Sequence, residues 1–158
     1  MNSLKFAVVF IVVLVAGCIT PQAPKLTPLE IQSLQSREYE ETKAVVFPSV
    51  LSVFQDLGYI VKTADKDTGF ITAESPTNNT TGFWDAFAGI AVNSQTIATA
   101  FVEEIGQITK IRLNIVAKKS TSSEYGQNSK QDTPILDAKV YQNAFERIES
   151  VLFIRSSN

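Results

Sequence analysis

Between Thr109 and Lys118 the chain alternates. Ile111, Leu113, Ile115 and Ala117 fall on one parity, and Lys110, Arg112, Asn114 and Lys118 on the other, with Val116 the single apolar interruption. Successive side chains of an extended strand point to opposite faces, so this pattern makes one apolar row and one largely wet row. Such a strand belongs in an antiparallel sheet with one buried face, and another part of the chain must cover that face. Two stretches have helical spacing. Phe47, Val50, Leu51, Phe54 and Leu57 form an apolar stripe that ends at Gly58. Tyr141, Ala144, Phe145, Ile148 and Leu152 form another behind Asp137, a suitable N-cap. Proline suits only the first turn of a helix, so the first of the two is expected to begin close to Pro48.

Strand composition recurs at Arg37–Thr42, Tyr59–Ala64, Phe70–Glu74 and Gln95–Glu104. Asp65-Lys66-Asp67-Thr68-Gly69 reads as a turn, and Gly106 as the tip of a hairpin leading into the alternating strand. Residues 119–134 are polar and read as a loop. Thr27-Pro28-Leu29-Glu30 places Thr at an N-cap, Pro at the first helical position and Glu at the third, the capping box of a short helix over 28–35. The expected class is α+β. Its order is β-α-β-β-β-β-α, a helix-grip-like antiparallel sheet with helices on one face, preceded by a short N-terminal helix. One globular domain over 28–158 accommodates this order, interrupted by an apolar and aromatic insertion at 75–95.

The residues ahead of the domain read differently. Lys5 precedes an unbroken apolar run, Phe6 to Ala16, of eleven residues. A helix crossing a ~30 Å hydrocarbon layer needs about 20 residues, so this run is too short to span but suits the core of a secretory signal over 1–17. Val15-Ala16-Gly17-Cys18 follows and resembles the bacterial lipobox, whose cysteine takes a diacylglycerol thioether. Cys18 is the only cysteine, so no disulfide partner exists. A single acyl chain binds a bilayer only marginally, whereas the two or three of a lipoprotein, palmitate among them, hold firmly. Ile19 stands where an aspartate would resemble an inner-membrane retention signal, so the resemblance implies the outer membrane of a Gram-negative bacterium, facing the periplasm. Residues 18–27, with Pro21 and Pro24 before Pro28, form a short and fairly stiff tether.

Within the insertion, Phe83, Trp84, Phe87 and Ile90 are candidate interaction residues. A stripe at 83, 87 and 90 fits one side of a short helix that either folds over the sheet or meets a partner or the membrane. Composition narrows the chemistry. The chain has 158 residues, is 44% hydrophobic and 19% charged, and carries a formal charge of −2. That balance gives nucleic acid nothing to bind, since phosphate recognition needs clustered Lys and Arg. With no histidine, Ser-His and Cys-His catalysis are excluded and the commonest zinc ligand is missing. Glu103 and Glu104 are neighbours on a strand and therefore point apart. No metal, cofactor or enzymatic activity is expected.

The segments QSREYEET, VFQDLGYIV with TGFITAES, and KVYQNAFERIESVLF resemble a family of proteobacterial envelope lipoproteins. Its pattern is Arg-aromatic-acid, Leu-Gln-Asp-Leu-Gly-aromatic, Gly-x-Ile and Tyr-Gln-x-x-Phe. Phe54 replaces the commoner leucine, and Ala86 to Val92 replaces a longer glycine-rich insertion. The helix–turn–hairpin is also loosely similar to the helix-grip domains of the C lipoprotein of the outer-membrane β-barrel assembly machinery. The resemblance implies no catalytic residue. It leaves two expectations: a lipid-anchored, non-enzymatic module that binds another envelope protein, or a carrier of a small hydrophobic ligand held between the last helix and the sheet.

Overall fold

The computed structural model describes residues 26–79, 90–123 and 128–157. Along the chain run α1 (Pro28–Gln35), β1 (Ser36–Tyr39), α2 (Lys43–Asp56), β2 (Ile60–Asp65) and β3 (Phe70–Glu74). They are followed by β4 (Asn78–Asn79), β5 (Ile90–Ile105), β6 (Ile108–Ser123), β7 (Asn128–Pro134) and α3 (Ala138–Ser156). The strands make one antiparallel sheet in the order β1-β6-β5-β3-β2, with β4 added to β5 and β7 added to β6. The class is α+β, with the helices gathered on one face.

The predicted α3 stripe is buried in full, and the α2 stripe is buried at Phe47, Val50 and Phe54 but only partly at Leu51 and Leu57. Tyr141, Ala144, Phe145, Ile148 and Leu152 of α3, and Phe47, Val50 and Phe54 of α2, pack on Ile71, Ala73, Ala98, Ala100, Val102, Ile111, Leu113 and Ile115 of the sheet. The alanines keep that sheet surface low, which leaves room for the rings of the helices. At the start of α1 the capping box forms: the Glu30 carboxylate accepts from Thr27 N at 2.7 Å, and Thr27 Oγ1 accepts from Glu30 N. The bonds from Thr27, its backbone N–H foremost, hold the Glu30 carboxyl below the ordinary range.

Three expectations are corrected. α2 begins at Lys43 rather than beside Pro48, so the proline lies inside the helix. The early start is capped from across the sheet, where Glu104 of β5 accepts Lys43 N at 3.0 Å. Pro48 has no N–H to offer the Ala44 carbonyl, and next to it Ser49 Oγ donates to Val45 O at 2.7 Å. In the polar stretch 119–134 the described residues are strand rather than loop, because β6 runs on to Ser123 and β7 takes up Asn128–Pro134 beside it. The strand expected from Gln95 starts at Ile90 and pairs with β6 without a break from Ile105↔Ile108 to Ile90↔Ser123. Ladder hydrogen bonds to a partner already in register override the weak strand propensity of Asn, Ser, Gln and Lys. Lys118 and Lys119, at the expected junction of strand and loop, therefore sit mid-strand.

Tyr141 closes a gap in the edge of β6. β1 pairs with Arg112 back to Thr109, and β7 pairs from Val116 onward. Between them, the Ile115 carbonyl accepts from Ile135 N at 2.8 Å, and Ile115 N donates to the buried Tyr141 hydroxyl at 3.3 Å. Nearby, the Arg37 guanidinium carbon lies 5.0 Å from the Phe145 ring centroid, a cation–π contact between β1 and α3. Burial first, and then the Glu149 carboxylate, push the Tyr39 phenol far above its usual range.

Among the described residues three glycines have positive φ, and two of them, Gly58 and Gly69, differ in their surroundings. Gly58 (φ +81) ends α2, with Tyr59 N bonded to Phe54 O and Gly58 N to Gln55 O, and nothing lies within 4 Å of where its Cβ would be. Gly69 (φ +84) accepts Val102 N through its carbonyl at 2.9 Å, and a Cβ there would overlap the Val102 carbonyl oxygen. Gly58→Ala should therefore cost about 1 kcal/mol, the left-handed penalty alone. Gly69→Ala should cost about 3 kcal/mol or more, because β3 must also move off β5. Urea unfolding of the two variants measures the difference, and equal losses would refute the close approach. Tyr141→Phe should cost about 1–3 kcal/mol by orphaning the Ile115 N–H. Amide exchange at Ile115 should quicken more than at Leu113, and uniform protection would show that the hydroxyl satisfies nothing.

Candidate functional site

Since α2 and α3 take one face of the sheet, the other face defines the candidate site. It carries the opposite parity: Ile97, Thr99, Phe101, Glu103 and Ile105 of β5, and Lys110, Arg112, Asn114, Val116 and Lys118 of β6. Among the described residues no helix lies on it. Its centre is a cross-strand aromatic pair. Phe70 of β3 stands opposite Phe101 of β5, with ring centroids 4.6 Å apart, and Phe70 is 52% exposed. Around the pair lie charges that answer one another. Lys110 Nζ is 3.3 Å from Glu38 Oε1, Lys62 Nζ is 3.4 Å from Glu74 Oε2, and Arg112 pairs directly with Phe101. An aromatic centre inside a polar rim is the layout of a protein-binding patch.

Further along the same face the sheet outruns the helices. There a polar cavity of about 470 Å³ is lined by Thr77, Asn93, Gln95, Lys118, Lys130 and Asp132, among others. Gln95 Nε2 donates to Ser75 O at 3.1 Å and to Glu74 Oε2 at 3.3 Å, which fixes one wall. On the covered side, the space among Phe54, Leu57, Tyr59, Ala98, Leu113, Ile115 and Ala144 amounts to about 20 Å³. That volume is on the order of one water, far below the roughly 300 Å³ and upward of small-molecule sites.

The sequence-derived candidates fall mostly elsewhere. The lipobox Val15, Ala16 and Gly17, the lipidation residue Cys18, and Phe83, Trp84 and Phe87 all lie outside the described residues, as do the signal and most of the tether. Ile90 is described. It opens β5 opposite Ser123 instead of continuing a helical stripe from residues 83 and 87. Glu103 and Glu104 do point apart: Glu104 caps α2, and Glu103 sits opposite Lys110 on the open face. Neither Phe70 nor Phe101 stood out in the sequence. Each is an ordinary strand aromatic, and only the β3–β5 register puts them together. Their parity was the usable signal, since Phe70 is out of phase with the buried Ile71 and Ala73.

No family profile and no curated protein matches the chain. Among solved structures, a DUF4468 family protein from Bacteroides ovatus is similar over 82% of this chain and 89% of its own. Its identity is 7% and its TM-score 0.39. Among the described residues no helix is long and apolar enough to cross a membrane.

Phe70→Ala should cost about 1 kcal/mol of stability, mainly the ring-pair contact. Phe145→Ala, which empties the core, should cost about 3–5 kcal/mol. Comparable losses in thermal unfolding would mean that the open face is packed like the core and is no free surface.

Proposed function

We propose that this chain is a bacterial envelope lipoprotein, anchored through acyl chains on Cys18, whose domain acts as a non-enzymatic protein-interaction module. On this reading it faces the periplasm from the outer membrane, as the lipobox resemblance and Ile19 imply. The observation that carries the interaction role is the uncovered sheet face, with the Phe70–Phe101 pair at its centre and charged groups around it. Ten residues, 18 to 27, precede Pro28. At about 3.1 Å per residue in polyproline form, they hold the domain within some 30 Å of the lipid surface. A partner would therefore be met at the membrane. The cavity of about 20 Å³ under α3 weighs against the carrier alternative, because a hydrophobic ligand needs a room that the packed rings fill.

The test has two parts. Intact-mass analysis of the protein purified from membranes should give a chain that begins at an acylated Cys18, and a free thiol with an uncut leader would defeat the anchoring. In-cell crosslinking should then trap a neighbour whose yield falls severalfold in a Phe70→Ala, Phe101→Ala double variant that retains its fold. An unchanged yield removes the open face from the role. A lipid that co-purifies stoichiometrically in native mass spectrometry would favour the carrier instead.

A further inference from the structure

β7 is an edge strand, with β6 on one side and, among the described residues, nothing on the other. Ile135 N donates to Ile115 O, and the β6–β7 register continues from this pair. In an antiparallel ladder the hydrogen-bonding direction alternates residue by residue. Ser129, Gln131 and Thr133 therefore turn their backbone groups toward β6, while Asn128, Lys130, Asp132 and Pro134 turn theirs outward. Proline, which has no N–H, thus falls on the outward parity that an edge strand allows.

The strand reads Asn128-Ser129-Lys130-Gln131-Asp132-Thr133-Pro134, and every one of these residues is exposed. A two-fold axis at Gln131 pairs Lys130 of one copy with Asp132 of the other, and Ser129 with Thr133. The outward backbone groups then come directly opposite one another: 130 with 132, 132 with 130, and each Asn128 N–H with the other copy's Pro134 carbonyl. Gln131 meets itself at a pair without mutual hydrogen bonds. Backbone parity, side-chain charge and proline position all agree on this one register. A lone edge lysine would meet its own image and repel it, which is how edges are commonly blunted. Here the image of Lys130 is Asp132.

We propose that β7 is a self-association edge, through which two copies of the chain join their sheets antiparallel about Gln131. A seven-residue edge buries less than the roughly 1,000 Å² of stable interfaces, so the dimer is weak and concentration-dependent. The inference stands apart from the lipid anchor and from the open face, and neither fails if it fails.

Two measurements on the full chain test it. Opposed residues of a pair without mutual hydrogen bonds have Cα atoms about 4.5 Å apart, within disulfide range. Gln131→Cys should therefore form a disulfide-linked dimer on mild oxidation in membranes. The parent chain, with Cys18 alone, and a Gln142→Cys control on the exposed side of α3 should not. In sedimentation, Lys130→Asp and Asp132→Lys should each weaken dimerisation about tenfold, since like charges then face each other. An equimolar mixture of the two should dimerise at least as well as the parent, because every opposed pair in the mixed dimer is of opposite sign. Absence of the residue 131 crosslink, or charge variants that associate like the parent singly and mixed, would overturn the proposal.

Discussion

The architecture depends on one long hairpin. β5 and β6 are sixteen residues each and stay in register from the Gly106 turn to Ile90↔Ser123. The half nearer the turn supplies most of the sheet's side of the core, Ala98, Ala100, Val102, Ile111, Leu113 and Ile115, and β3 adds Ile71 and Ala73. Neither α2 nor α3 has another surface on which to bury a full stripe. Glu104, at the end of β5, also caps α2, so one strand both receives that helix and sets where it starts. Helices of 14 and 19 residues gain most of their stability in water from such packing rather than from propensity.

The same hairpin explains why one face stays open and why the sheet extends past the helices. Beyond Ala98 the inward parity of β5 passes to Thr96 and Ser94, which stand opposite Ala117 and Lys119 of β6. A helix laid there would bury hydroxyls and an ammonium against apolar carbon, which is unfavourable unless each finds a partner. Both faces of the extension therefore stay wet. Its strands are held by the backbone ladder and by contacts such as Gln95 to Ser75. On the outer face the apolar content contracts to a few positions, with Phe70 and Phe101 the largest. The proposed interaction role rests on that concentration, because rings that α2 and α3 leave uncovered are surface a partner can still bury.

Much of this was legible in the chain, and the legible part was periodic. All five residues of the α3 stripe are buried as the spacing required, and so are the central residues of α2. The Thr27 capping box and the turns at Gly58, Gly69 and Gly106 follow from short-range chemistry and fall where the residues placed them. What escaped was long-range. Nothing local marks Glu104 as the cap of a helix sixty-one residues before it. Nothing in Ser-Lys-Gln-Asp announces a strand until β6 lies alongside it. The aromatic pair was hidden for the same reason, and Ile90 was misread because spacing alone cannot show that its own backbone is extended, as its pairing with Ser123 makes it.

By itself the amino-acid order determined the buried stripe of α3, the apolar centre of α2 and which catalytic chemistries are closed to a chain without histidine. These are consequences of side-chain period and side-chain identity, and both are local. Only the tertiary structure decided which strands end as edges, which face remains uncovered, how little space is left under α3 and which backbone groups of β7 look outward. Each of those depends on who lies next to whom in the sheet. Strand neighbours are chosen by hydrogen bonds between segments far apart in the chain, and no short window of residues contains them.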